Sequence, residues 1–159
     1  MTNVANSKAL IDDLANRFVQ VARLGNYKIS DRDLDIEFWP APHVPKKLPN
    51  GKRALYGFIY NEQCLKVGKA GSNSNARYQS QHYNPKSANS NLAASIISDA
   101  DSSYAPNLVE KNVGHWIKEN CFRFNIHFDA KHSDEFATFM ESFFIFCLKP
   151  KYEGRWRKK

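Results

Sequence analysis

Phenols, amines and a guanidinium stand close together in one short stretch of this chain. From Leu55 to Tyr83 the sequence reads LYGFIYNEQCLKVGKAGSNSNARYQSQHY, with Tyr56, Tyr60, Lys66, Lys69, Arg77, His82 and Tyr83 among its residues. Hydroxyls of this kind handle protons, and cations of this kind hold an anion. A tyrosine ionises ordinarily near pH ~10, so one that moves a proton at neutral pH needs a cation beside it. Each residue also has an ordinary reading, as a strand aromatic or a solvent-facing helix cation.

The elements that would position them are legible. Leu55 to Tyr60 and Cys64 to Val67 read as two short strands, with polar Asn61-Glu62-Gln63 as the hairpin turn between them. Side chains two apart on a strand share a face, so Tyr56, Phe58 and Tyr60 lie on one side. By the same rule Cys64 and Lys66 share a face of the second strand, and the register between the strands stays open. The loop Gly68-Lys69-Ala70-Gly71-Ser72-Asn73 lets the backbone turn. A helix starts at Asn75, runs to Tyr83 and carries Arg77 near its beginning.

This stretch resembles the core of the GIY-YIG endonuclease superfamily. Ala54-Leu55-Tyr56 stands where the GIY strand would be, Lys66-Val67-Gly68 where YIG would be, and Arg77 where the helix arginine is expected. Glu141 through Pro150 to Tyr152 resembles the family pattern of a metal-binding Glu on a helix segment ending at P-x-Y/F-N. Three positions depart: Ala54 replaces the first Gly, Lys66 the second Tyr, and Glu153 the Asn. Lys66 in that place resembles a branch with some restriction and phage nucleases. The resemblance covers the chain from Lys52 to Gly154.

The resemblance implies a Mg²⁺-dependent DNA endonuclease, with Mn²⁺ as an alternative ion, of restriction or anti-phage type. Phosphodiester hydrolysis needs a base for the water, a cation beside the phosphate and something to carry charge on the leaving oxygen. Tyr56 would be the base or its relay, and Tyr60 is its alternative on the same face. Lys66 would supply the neighbouring cation or take the proton itself. Arg77 would grip the scissile phosphate bidentately. Glu141 would hold one Mg²⁺ that keeps most of its waters. Tyr60, Lys69, His82, Tyr83, Lys151 and Arg155 would be further substrate contacts. With one site per chain, cutting both strands of DNA would need a homodimer or sequential nicks. The departures at Ala54 and Glu153 leave open a catalytically impaired nucleic-acid-binding module. The basic tail leaves open an interaction protein that binds an acidic partner.

Composition is consistent with a folded chain that meets phosphate. The 159 residues carry a net charge of +7, and 42% of them are hydrophobic, enough for one core. Six cations fall between Lys149 and Lys159 against Glu153 alone. A second basic group is Lys46, Lys47, Lys52 and Arg53. Both groups suit phosphate contact, and equally a solvated surface that keeps the chain soluble. No apolar run is long enough to span a membrane, and the N-terminus lacks the order of a signal peptide, so a cytoplasmic location is expected. Cys64, Cys121 and Cys147 show no CxxC spacing and read as buried free thiols. His43, His115, His127 and His132 are scattered and read as structural or surface residues.

Beyond the core stretch, Ser7 to Leu24 has helical apolar spacing and Gly25-Asn26 stops it. Asp31 to Trp39 shows no clear period. Pro40, Pro42, Pro45 and Pro49 make an extended linker, and Asn50-Gly51 a turn. Leu92 to Ile97 is a short helix. Asn107 to Glu119 is a helix candidate weakened by Gly114. Cys121 to Phe128 alternates as a half-buried third strand. A helix from about Glu135 to Leu148, capped by Ser133 or Asp134, ends at Pro150. The expected fold is a small α+β GIY-YIG-like domain over 52–159, a three-stranded antiparallel sheet flanked by helices. A helical N-terminal extension with a Pro-rich linker occupies 1–51.

Overall fold

Four antiparallel strands, one more than expected, form the sheet. The structure, a computed structural model, describes residues 4–87, 90–99 and 107–153. The strands are β1 (Asp35–Trp39), β2 (Lys52–Tyr60), β3 (Gln63–Ala70) and β4 (Phe122–Asp129), in the order β1-β4-β2-β3. The additional strand, β1, comes from the stretch without a clear period. It pairs antiparallel with β4, Ile36 opposite Ile126 and Phe38 opposite Phe124. The helices are α1 (Val4–Leu24), α2 (Asn75–Gln79), α3 (Leu92–Ser98), α4 (Val113–Asn120) and α5 (Asp134–Leu148). Among the described residues no helix is long and apolar enough to cross a membrane.

Each face of the sheet has its own core. On one face, Ile11, Phe18, Phe136 and Phe144 of α1 and α5 pack on Leu55, Val67, Phe124 and Ile126. On the other, Tyr78, Ile96 and Ile117 from α2, α3 and α4 pack on Tyr56 and Phe58. Ser133 caps α5, its hydroxyl accepting from the Phe136 N–H at 3.3 Å. Lys149 then turns left-handed at φ 46° and Pro150 prevents continuation. The fourth helix is shorter than its apolar spacing suggests. Asn112 Oδ1 accepts from the Val109 N–H at 2.8 Å, which holds the preceding residues as a turn.

Three side-chain expectations need correction. The strand β4 is buried on both faces, because it lies between β1 and β2 with helices on either side. Its polar residues Arg123, Asn125 and His127 therefore point into the second core. Cys64 and Lys66 do not share a face. Phe58 pairs with Lys66 but Ile59 with Cys64, so Leu65 is an extra, bulged residue. The bulge sends Cys64 to the α1/α5 core and turns Lys66 to the side of Tyr56. Finally, Cys64 and Cys121 are buried free thiols but Cys147 is exposed, near the end of α5 on its solvent side.

Arg123 is fully buried, and among the described residues no carboxylate forms an ion pair with it. Its Nε donates to Asn125 Oδ1 at 2.9 Å, Nη2 to the Tyr78 carbonyl at 2.7 Å and Nη1 to Tyr83 Oη at 3.2 Å. The rings of Trp39 and Tyr78 face the guanidinium at 4.4 and 4.7 Å. Hydrogen bonds and aromatic faces together offset the cost of burying that charge.

Candidate active site

Tyr56 sits in the middle of β2, directly opposite Gly68 on β3. The pairing is steric as well as hydrogen-bonded. A Cβ on residue 68 would lie 2.6 Å from Tyr56 Oη, so the phenol occupies the space a side chain would need. Gly68→Ala is thus expected to push the hydroxyl aside. A stability loss of about 1–3 kcal/mol from overpacking is expected. Thermal melts check that number.

The Tyr56 hydroxyl accepts a long hydrogen bond from Arg77 Nε, 3.4 Å, on the short helix α2. Burial pushes the phenol's pKa up, and Arg77 and then Arg123 oppose that without overcoming it. Tyr56 is therefore protonated at neutral pH. The cation on its hydroxyl is Arg77, where the sequence pointed to Lys66. Both Glu141 and Glu153 act electrostatically on the same guanidinium. Glu141, on α5, receives Lys69 Nζ at 3.5 Å, and Lys69 also donates to Thr138 Oγ1. Glu141 is partly exposed, so a solvated ligand can reach it.

Lys66 is nearly buried, 7% of its side chain exposed. Its ammonium donates to the Glu153 carboxylate and to Asn91 Oδ1, the latter at 3.2 Å. Asn91 belongs to the segment just before α3. Ser90, beside it, places its hydroxyl 2.8 Å from His82 Nδ1. The His82 ring lies 4.4 Å from that of Tyr56 and is fully buried. Burial drives its pKa well below the usual range, with Arg123, Lys66 and Arg77 pushing the same way. His82 is a neutral wall of the site.

The other expected contacts divide. Tyr83 turns inward, its hydroxyl 2.8 Å from His43 Nε2 and accepting from Arg123. Burial lowers the His43 pKa to about 4, with Arg123 adding to the effect. Tyr60 meets Trp116, ring centroids 5.0 Å apart. Lys151 pairs with Asp99. Arg155 and the rest of the basic tail lie outside the described residues. So Tyr56, Lys66, Lys69, Arg77 and Glu141 converge, joined by Glu153, Asn91 and His82, while Tyr83 serves the core.

Arg123 and Asn91 escaped sequence reading. Arg123 had one available signal: three polar residues alternating through an otherwise apolar strand, which in a central strand must find partners inside. Asn91 had none, since a lone amide in a polar loop looks like any other.

Among the described residues no group of three or more His, Cys, Asp or Glu could enclose a metal. Within the cluster the hard oxygen donors are the carboxylates of Glu141 and Glu153, each about a fifth exposed, and Glu141 is the more loosely paired, at 3.5 Å from Lys69. An ion held by one such carboxylate would keep most of its waters. A groove of about 510 Å³ lies on the opposite sheet face, lined by Leu10, Ile59, Cys64 and Cys147 among others, and shares no residue with this cluster. The cluster combines a protonated phenol, a guanidinium, two ammonium–carboxylate pairs and a neutral imidazole, which can bind an anion and move a proton beside it. No protein-family model matches the chain, and no curated protein or solved structure matches it.

Proposed function

We propose that this chain is a divalent-metal-dependent DNA endonuclease of the GIY-YIG type. The observation that supports it is the meeting of Tyr56, Lys66, Arg77 and Glu141. They come from β2, β3, α2 and α5, and they follow the order and spacing of the resemblance. Arg77 binds the non-bridging phosphate oxygens, already oriented by its bond to Tyr56. The Tyr56 hydroxyl orients the attacking water and relays its proton to solvent water, which in turn protonates the leaving sugar oxygen, and Arg77 stabilises negative charge on the phenol oxygen. Glu141 would hold Mg²⁺ or Mn²⁺, which when bound supplies positive charge for the phosphate and the leaving oxygen. His82 excludes water from the inner wall. Attack at phosphorus breaks the bond to the leaving sugar oxygen.

Restriction or anti-phage action in the cytoplasm is the role we assign to such an activity. One site per chain makes a double-strand break the work of a homodimer or of two successive nicks. The test is cleavage of plasmid, defined duplex and single-stranded oligonucleotides, with Mg²⁺, with Mn²⁺ and with chelator. Metal-dependent cutting supports the proposal. Binding without cutting under all conditions replaces it with the impaired nucleic-acid-binding module, and neither binding nor cutting with an interaction protein for an acidic partner.

The tail gives a separate prediction. Deleting Arg155 to Lys159 removes four cations, Arg155, Arg157, Lys158 and Lys159. The slope of log affinity against log salt on duplex DNA should become shallower by about 0.9 for each phosphate that the shortened chain no longer neutralises. An unchanged slope in a binding titration would assign the tail to solubility.

A further inference from the structure

We infer that Glu153 is a positioning residue that fixes Lys66 as a cation in the site, leaving Arg77 as the charge that meets substrate. The inference rests on the nuclease reading for the part Arg77 plays toward substrate and for its kinetic arm; the Lys66–Glu153 pairing stands apart from it.

The placement of Glu153 is built by the backbone. After Pro150 the chain returns along the free edge of β3. The Lys151 N–H donates to the Cys64 carbonyl at 2.9 Å and the Tyr152 N–H to the Leu65 carbonyl at 3.0 Å. Asp99 anchors the same segment from the end of α3, accepting from Tyr152 Oη at 2.8 Å and pairing with Lys151. The next residue is then beside Lys66, where the bulge at Leu65 has turned the ammonium inward. Bulge, edge pairing and Asp99 anchor all serve one ion pair.

The surrounding charges show what that pair does. From α2, Arg77 faces Glu153 and Glu141. From the turn after α2, His82 faces Lys66 as a neutral ring. From β3 itself, the Cys64 thiol is protonated, burial being the main cause. On the far side of Arg77, Glu141 has Lys69. Two ammonium–carboxylate pairs therefore flank one guanidinium, and among the described residues no carboxylate is within ion-pair distance of Arg77. Without Glu153, Lys66 would be a nearly buried ammonium held by an amide oxygen alone, and burial favours the neutral amine. Held between the Glu153 carboxylate and Asn91 Oδ1, Lys66 is occupied, so it steadies the site and does not accept the proton of the attacking water.

The experiment compares the wild-type chain with Glu153→Gln, which keeps shape and a hydrogen bond, and Glu153→Ala. Thermal melts verify that each variant is folded, and the Gln variant carries the test if the Ala variant is not. In protein carrying ¹³C-labelled lysine, the Lys66 ε-carbon resonance is assigned by its disappearance in Lys66→Met and titrated against pH. The midpoint should fall by about 1 pH unit or more in Glu153→Gln. On DNA with Mg²⁺, the alkaline limb of the rate profile should move down by the same interval, with activity recovered at lower pH. An unchanged midpoint overturns the inference. So does a higher rate at neutral pH in Glu153→Gln, which would make neutral Lys66 the proton acceptor. Should wild-type protein cut no nucleic acid, the nuclease reading fails and the resonance titration still decides the pairing.

Discussion

Glu141→Ala is expected to lower cleavage by about 10³-fold or more while leaving the fold and DNA affinity near wild type. The carboxylate lies on the open side of α5 and pairs with Lys69 at 3.5 Å, both side chains being partly exposed. At 3.5 Å and with both partners in reach of water, losing this pair should cost about 1 kcal/mol or less. Removing a negative charge beside Arg77 will not weaken an anion's binding. Activity should fall and binding should not, which separates a ligand from a scaffold residue. Glu141→Gln should behave alike, because an amide is a poor ligand for Mg²⁺. The checks are single-turnover cleavage and fluorescence anisotropy. A Glu141→Ala variant that cuts at the wild-type rate would move the metal site elsewhere.

Tyr56→Phe should reduce cleavage by roughly 10²-fold. The ring stays, with its contacts to His82 and Phe58. The lost hydroxyl made only a long bond to Arg77, so stability should change by less than about 1 kcal/mol. Tyr60→Phe is the internal comparison. Its ring packs on Trp116, further along the same strand, and the variant should remain active. If Tyr60→Phe were inactive and Tyr56→Phe active, the alignment of the first strand with the resemblance would be wrong. Two active variants would remove tyrosine from proton handling altogether.

The parts of this fold that could be read in the sequence share a physical property: their pattern is local. Tyr56, Phe58 and Tyr60 share a face because the strand period demands it. Arg77 follows the glycine loop, and α5 has a cap, an apolar surface and a proline stop. What stayed hidden depended on neighbours. Strand β1 carries Trp39 where alternation calls for a polar residue, and that indole covers Arg123 from the adjoining strand. The bulge at Leu65 has no residue signature, yet it alone decides that Lys66 faces Tyr56. Arg123 looked like the polar side of a half-buried third strand, and only the presence of β1 makes its strand central. Within the site, the motif residues were legible. Their partners were not: Asn91 and the Lys66–Glu153 pair depend on how distant segments dock.

The central place of β4 has a consequence for the order in which the molecule comes into being. Both outer neighbours of that strand, β1 and β2, precede it in sequence. A chain emerging from the ribosome therefore makes β1 with nothing to pair it to, then a β2–β3 hairpin carrying Tyr56 and Lys66. Only when β4 inserts between β1 and β2 does one sheet exist, and such late, distant pairing slows folding. The helix bearing Glu141 and the segment bearing Glu153 come later still. A nascent chain of this protein thus carries the phenol and the guanidinium long before it carries either carboxylate, and prematurely ended translation yields a fragment without the proposed metal ligand.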